Sequence, residues 1–214
     1  MPNWCENILK ITGPTKDLAR FKKAVQGRGA RRAKEDPVRP FSFHSLVPMP
    51  EFPAESDGWY NWSIAHWGTK WDASEPRIIS ESKTCLEYGF DTAWSPPMEW
   101  LASVGPKFPM LTLRLWYAEG GSYFAGVYTV EGDDANNEEK DYVDAQIEER
   151  GSISVQCGYC DEDIEISDKA AVRICEDCLQ YRCTNCEKHQ DEHIDGKCPF
   201  DATMFKNISP EKVE

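Results

Sequence analysis

Seven of the chain's nine cysteines fall between positions 157 and 198. The metal-capable residues there read Cys157-x2-Cys160-x14-Cys175-x2-Cys178-x4-Cys183-x2-Cys186-x11-Cys198-x2-Asp201. Each Cys-x2-Cys pair can form a tight turn that aims two thiolates at one tetrahedral ion, which is half a site. Three such pairs in 30 residues imply at least two sites, and the expected cofactor is zinc, two ions. A segment of about 45 residues is too small to be held by its own core and needs such staples. In an interleaved cross-brace, Cys157, Cys160, Cys183 and Cys186 share one ion. Cys175 and Cys178 then share the other with Cys198 and an eighth group, for which Asp201, His193 and His189 compete. Between the first two pairs, Ile164 and Ile166 face Val172 and Ile174 across a turn at Ser167-Asp168-Lys169, as a hairpin requires.

Outside this segment the residue types suggest less chemistry. His44 and His66 stand alone, and no Ser-His or Cys-His pairing has an interpretable spacing. Cys5 and Cys85 lie in strand-like runs and read as small buried hydrophobes. Lys70, Asp72, Asp91, Thr92, Ser95 and Glu119 are the polar candidates, and Lys70, between Trp67 and Trp71, is placed for a cation–π contact. No catalytic residue is assigned, and the expectation is a non-enzymatic protein. Residues 58–72 pack four Trp and one Tyr into fifteen positions, either as core or as a recognition face.

Composition sets the bounds. The chain of 214 residues is 40% hydrophobic, with eight tryptophans, enough for one medium domain and one small one. The net charge of -13 is uneven: residues 1–132 hold 15 Lys+Arg against 15 Asp+Glu, and residues 133–214 hold 9 against 22. That acidity opposes broad affinity for nucleic acid, which depends on basic residues. No apolar run approaches the ~18 residues that would span a bilayer, and no charged-then-apolar leader opens the sequence, so a soluble intracellular protein is expected.

The elements that must position these residues follow from periodicity. NWCENILKITG reads as a strand with Cys5, Leu9 and Ile11 on one face, and Gly13-Pro14-Thr15 breaks it into a helix carrying Leu18, Phe21 and Val25. A basic loop covers 28–40, and FSFHSLVPMPEFP reads as extended, then broken by prolines. RIISESKTCLEYGFDTAWS suggests one or two strands, and Pro96-Pro97 starts a helix over MEWLASV. LTLRLWY points Leu111, Leu113, Leu115 and Tyr117 one way, and Gly120-Gly121 turns it into a closing hairpin strand, YFAGVYTVEG. This order predicts an α+β, ferredoxin-like antiparallel sheet with helices on one face, close to βαββαβ. The expected domains are 1–132, an acidic linker with a connector helix at 133–155, and a small zinc-binding domain at 156–205. In the linker, Val143 and Ile147 share a helix face and Gly151 closes it.

Two resemblances extend these readings. Residues 1–132 resemble the YubB-like family of ferredoxin-like proteins carried by phages and plasmids, on MPNWCEN, LVPMP at 46–50, WGTKWD at 67–72, DTAWSPP at 91–97 and WYAEGGSYFAG at 116–126. That resemblance implies the fold and a mobile-element origin, hence a bacterial cytoplasm, and no catalytic residues. The C-terminal segment resembles RING fingers, on the four-residue gap after Cys178, the pair that follows, and the closing Cys198-Pro199-Phe200-Asp201. A ubiquitin-type ligase is what the RING resemblance would imply. Gly158 stands where a large aliphatic is expected, however, and no tryptophan occupies EKHQDEH, so the usual docking surface for a conjugating enzyme is missing.

Three functions remain in view: an accessory phage or prophage protein that binds a host protein, a single-stranded nucleic-acid binder, and a RING-type ligase. The second rests on Arg20, Lys22, Lys23, Arg28, Arg31, Arg32, Lys34 and Arg39.

Overall fold

The computed structural model describes residues 2–30, 36–53, 55–156, 163–167, 173–174 and 181–182. The chain divides into two compact units, residues 1–140 and 141–214.

The first unit is built on a six-stranded antiparallel sheet. β1 (Trp4–Thr12) leads into α1 (Thr15–Val25), whose buried Leu18, Phe21 and Val25 form the stripe the spacing predicted. A one-turn helix α2 (Phe43–Leu46) and the helix α3 (Gly58–Trp67) follow before β2 (Ser74–Glu81) and β3 (Cys85–Ala93). The helix α4 (Met98–Val104) and a 3-10 turn (Gly105–Lys107) return the chain to β4 (Thr112–Glu119), β5 (Phe124–Glu131) and β6 (Asp134–Lys140). The strand order is β2-β3-β1-β4-β5-β6. Its first four strands are the ferredoxin-like arrangement, and β5 and β6 extend that sheet by successive hairpins.

Alternation sorts the sheet faces. Cys5, Asn7, Leu9 and Ile11 of β1 face Thr92, Phe90, Tyr88 and Leu86 of β3, and all eight are buried. Leu111, Leu113, Leu115 and Tyr117 join the same core, as their alternation predicted. Above it Phe41 stacks on Phe90 at 4.8 Å and meets Trp100 edge-on at 5.3 Å. Trp116, Ala118, Ala125 and Val127 are also buried, but outside that core cluster and on the opposite face.

Three expectations for this unit change. Residues 134–140 are not linker but the edge strand β6, joined to β5 across Gly132-Asp133, so the boundary moves from 132 to 140. DANNEEK is solvated along almost its whole length, and a polar edge strand has the composition of a linker. The 41–53 stretch is not extended throughout, because α2 occupies 43–46 before Pro48 and Pro50 prevent its continuation. Cys85 is half-buried rather than buried, since it lies on the face away from the core.

The second unit begins with α5 (Tyr142–Arg150), capped by Asp141, which accepts bonds from the Val143 and Asp144 amides, and closed by Gly151 at φ 83°. Val143 is buried and Ile147 partly so, as the helix stripe implied. β7 (Ile153–Gln156) pairs with β8 (Asp163–Ile166), and β9 (Arg173–Ile174) pairs with β10 (Tyr181–Arg182). The expected hairpin between 164–166 and 172–174 is therefore wrong. Ile166 pairs with Ile153, and Ile174 with Tyr181. Two apolar runs flank one turn, yet each pairs with a strand across a Cys-x2-Cys connection instead.

Candidate interaction site at one end of the sheet

β1 starts where β3 and β4 end, so residues 3–5, 91–95 and 119–123 meet at one end of the sheet. The segment 68–72 is stitched to the same place by its polar side chains. Thr69 Oγ1 donates to the Ala93 carbonyl at 2.9 Å, and Ser95 Oγ donates to the Gly68 carbonyl at 2.6 Å. The Trp94 amide donates to the Asn3 carbonyl at 2.9 Å. Thr92 Oγ1, buried, takes a bond from Asn7 and gives one to the Ser95 carbonyl.

Gly68 is the pivot. It ends α3 in the left-handed region at φ 79°, and a Cβ there would stand 3.2 Å from the Pro96 carbonyl oxygen and 3.3 Å from the Met98 amide. Asp72 anchors the far side of the segment. Its carboxylate accepts bonds from Ser42 Oγ and the Phe43 amide at 2.7 Å each, and from the Ala30 and Ala73 amides.

With the polar groups so engaged, the aromatic ones face outward. Trp4, Trp71 and Trp94 are exposed at 43%, 39% and 42%. Trp4 and Trp71 lie 6.2 Å apart by ring centroids. Lys70 Nζ lies 4.7 Å from the Trp71 ring, 4.8 Å from Trp94 and 5.8 Å from Tyr60. The cation–π contact expected at Lys70 is present with Trp71, while Trp67 is turned into the core and Trp94 and Tyr60 take its place. Trp94 holds φ 72°, which a bulky side chain adopts only at a cost of about 1–2 kcal/mol. Tyr123, in the β4–β5 turn at this end, is likewise exposed and at φ 54°.

The remaining polar candidates serve the scaffold. Glu119 is buried and accepts the Gly121 and Ser122 amides at 2.6 and 2.7 Å, fixing the turn. Asp91 lies across from Glu6 in the β1–β3 register. Burial, reinforced by the Glu119 charge, pushes the Cys5 thiol far above its ordinary range, so it is no nucleophile. His44 Nδ1 accepts the Met49 amide, and His66 stacks on Trp62 at 4.3 Å. The Trp-rich segment thus divides: Trp67 is core, Trp62 packs against that core, and Trp71 faces solvent. Sequence reading did not single out Trp4 or Trp94. The signal was that each sits in one of the segments quoted above beside residues that bond the others.

The zinc ligands expected at Cys157, Cys160, Cys175, Cys178, Cys183, Cys186, Cys198 and Asp201, and the alternatives His189 and His193, all lie outside the described residues. Of the basic stretch, Arg31, Arg32 and Lys34 also lie outside them. Arg20 bonds the Lys107 carbonyl, Lys22 pairs with Glu81 at 2.6 Å, Arg28 bonds the Asp36 carbonyl and Arg39 the Ala73 carbonyl. Four of these cations are therefore already committed within the fold. Among the described residues no helix is long and apolar enough to cross a membrane.

The family model for the ferredoxin-like domain in Api92-like protein matches residues 66–192, more than half of the chain. The chain belongs to that Api92-like family. The matched span carries the Lys70, Trp71 and Trp94 part of the site and continues past the boundary between the two units. The solved structure of protein api92 from Yersinia pseudotuberculosis is similar with a TM-score of 0.50 and 10% identity, covering 66% of this chain and 98% of that one. At that identity the likeness shows the fold alone, and it agrees with the ferredoxin-like plan read from the sequence. No curated protein matches this Api92-like chain.

Proposed function

We propose that this Api92-like protein is a non-enzymatic binding protein that docks a host protein through the aromatic end of its sheet. The observation that carries the reading is the exposed Trp4, Trp71 and Trp94 gathered beside Lys70. Clustered tryptophans are what protein interfaces use as anchors. Asp72, Thr92, Ser95 and Glu119 around them are occupied in holding backbone groups of the loops. The strained φ at Trp94 accompanies an indole held at the surface.

The finer parts of the proposal rest on sequence. YubB-like kinship makes the protein an accessory factor of a phage or prophage, acting in the bacterial cytoplasm. Its cysteine-rich segment binds two zinc ions as a RING-like staple that adds a second contact surface. Supporting this, the first two Cys-x2-Cys pairs fall in connections between strands that pair, Gln156 with Asp163 and Ile174 with Tyr181. Tetrahedral zinc sites commonly take two thiolates from such a turn.

The test is affinity capture from a bacterial host with the full chain. A single stoichiometric partner is expected, lost with a Trp71→Ser/Trp94→Ser variant that keeps the native melting temperature. Undiminished capture by that variant would sink the reading. A metal measurement runs beside it, with two zinc equivalents expected and fewer than one refuting the staple.

A further inference from the structure

Among the described residues, the side-chain donors of Lys70, Trp4, Trp71 and Trp94 have no acceptor. Among the described residues, Lys70 Nζ has no carboxylate partner and no hydrogen-bond acceptor, whereas Lys22 pairs with Glu81 and Lys107 donates to the Leu46 carbonyl. The buried indoles behave differently from the exposed ones. Trp67 Nε1 donates to the Val47 carbonyl and Trp100 Nε1 to the Phe43 carbonyl, both at 3.0 Å. The indole N–H groups of Trp4, Trp71 and Trp94 have no such partner among the described residues. Ammonium and indole are donors only. Lys70 and the three indoles thus offer a ligand several N–H groups and apolar ring faces, with no acceptor among their own side chains.

Such a surface selects an acceptor-rich, negatively charged group attached to something apolar. Three rings already hold the lysine head, so an anion meets a cation whose ordering entropy has largely been lost beforehand. Ring faces around it also thin the water and strengthen the Coulomb attraction. A nucleic-acid strand fits less well, because it needs a row of cations along its phosphates. Here a single lysine is present, and two register steps beyond Trp4 and Ala93, on the same sheet face, Glu6 lies opposite Asp91. The site thus suits one anionic group better than a polyanion.

We propose that Lys70, Trp71 and Trp94 form a recognition site for a carboxylate flanked by an apolar side chain in a peptide segment of the partner. This inference rests on the docking reading above and names the chemistry of its contact. The carboxylate accepts from Lys70 Nζ, and the neighbouring side chain lies on the indole faces.

The experiment follows indole N–H resonances of the full-length protein in 1H–15N spectra. The probes are the blocked peptide Ac-Gly-Phe-Glu-Phe-Gly-NH2, its Gln analogue, and a short oligothymidylate. The Glu peptide should shift the Trp71 and Trp94 signals saturably and leave Trp67 and Trp100 in place, which also reports that the fold is intact. Replacing Glu by Gln, or making Lys70→Met, should weaken binding about fivefold, roughly the worth of an ion pair at a half-exposed site. Lys70→Arg should keep most of it. Equal binding of the two peptides, no effect of Lys70→Met, no shift at all, or tighter binding of the oligonucleotide would each overturn the proposal. Host-partner capture separates the two readings. Loss with Trp71→Ser but not with Lys70→Met leaves docking standing without the carboxylate. Peptide recognition without any host partner does the reverse.

Discussion

Trp67 and Trp71 stand four residues apart, and their surroundings are opposite. Trp67 is fully buried with its N–H bonded to the Val47 carbonyl, while Trp71 is 39% exposed. On a continuing helix, residues four apart share a face, and both rings would enter the core. Gly68 prevents this by ending α3 in the left-handed region, after which the chain leaves in a new direction with Asp72 tied down beyond it. Trp100 and Trp94 repeat the contrast on the far side, one buried in α4 and one held outward at positive φ. Composition fills this end of the sheet with indoles, and backbone geometry decides which of them build the core and which face a partner.

The buried side of the contrast should break hardest. Trp100 is fully buried against Phe41 and Phe43 and donates to the Phe43 carbonyl. Trp100→Ala removes that ring and leaves a cavity, while the Phe43 carbonyl keeps its bond from the Val47 amide, a loss of about 3–5 kcal/mol in urea unfolding. A loss under ~1 kcal/mol would mean that this aromatic core is not the one holding the unit together.

Gly68→Ala tests the pivot itself. A Cβ at φ 79°, close to the Pro96 carbonyl and the Met98 amide, should cost about 1–2 kcal/mol. The same variant should disturb the Trp71 indole resonance more than that of Trp100, because the chain beyond Gly68 must shift. If both signals stay in place, the glycine does not set the direction of that segment.

These contrasts also show how far the sequence was readable. Strand alternation in LTLRLWY and helical spacing of Leu18, Phe21 and Val25 are burial signals within one element, and the structure honours them. The cluster of Trp4, Trp71 and Trp94 assembles from the start of β1 and two loops, joined by bonds such as Ser95 to Gly68 and Thr69 to Ala93 that no periodicity encodes. Asp72, Thr92, Ser95 and Glu119 carried the right polarity for chemistry, yet each is spent on backbone groups. The strand β6 was missed for a related reason. An edge strand with water on both faces carries no apolar alternation, so DANNEEK read as a linker.

Trp94→Gly should act in the opposite direction to the core changes. Glycine accepts φ 72° without the clash that a Cβ makes, and the lost ring is 42% exposed and outside the core cluster, so unfolding should become harder by about 1 kcal/mol. The same variant should lose partner capture. Greater stability with weaker binding would identify the strain as held for recognition. An unchanged or lower stability would show that the surroundings of Trp94 favour its ring by as much as its backbone costs.

Trp71→Ser has the smallest expected effect on folding and is therefore the sharpest test of the exposed side. Its ring contacts are Trp4 and Lys70, neither in the core cluster, so its removal opens no core cavity. Stability should change by no more than about 0.5 kcal/mol, the usual range for a surface substitution. The Lys70 ammonium keeps Trp94 and Tyr60 as ring neighbours, so the cluster loosens without collapsing. A near-neutral melting temperature together with lost capture places the tryptophan in recognition. A loss of several degrees would instead make Trp71 a structural residue like Trp67, and the contrast between the two would disappear.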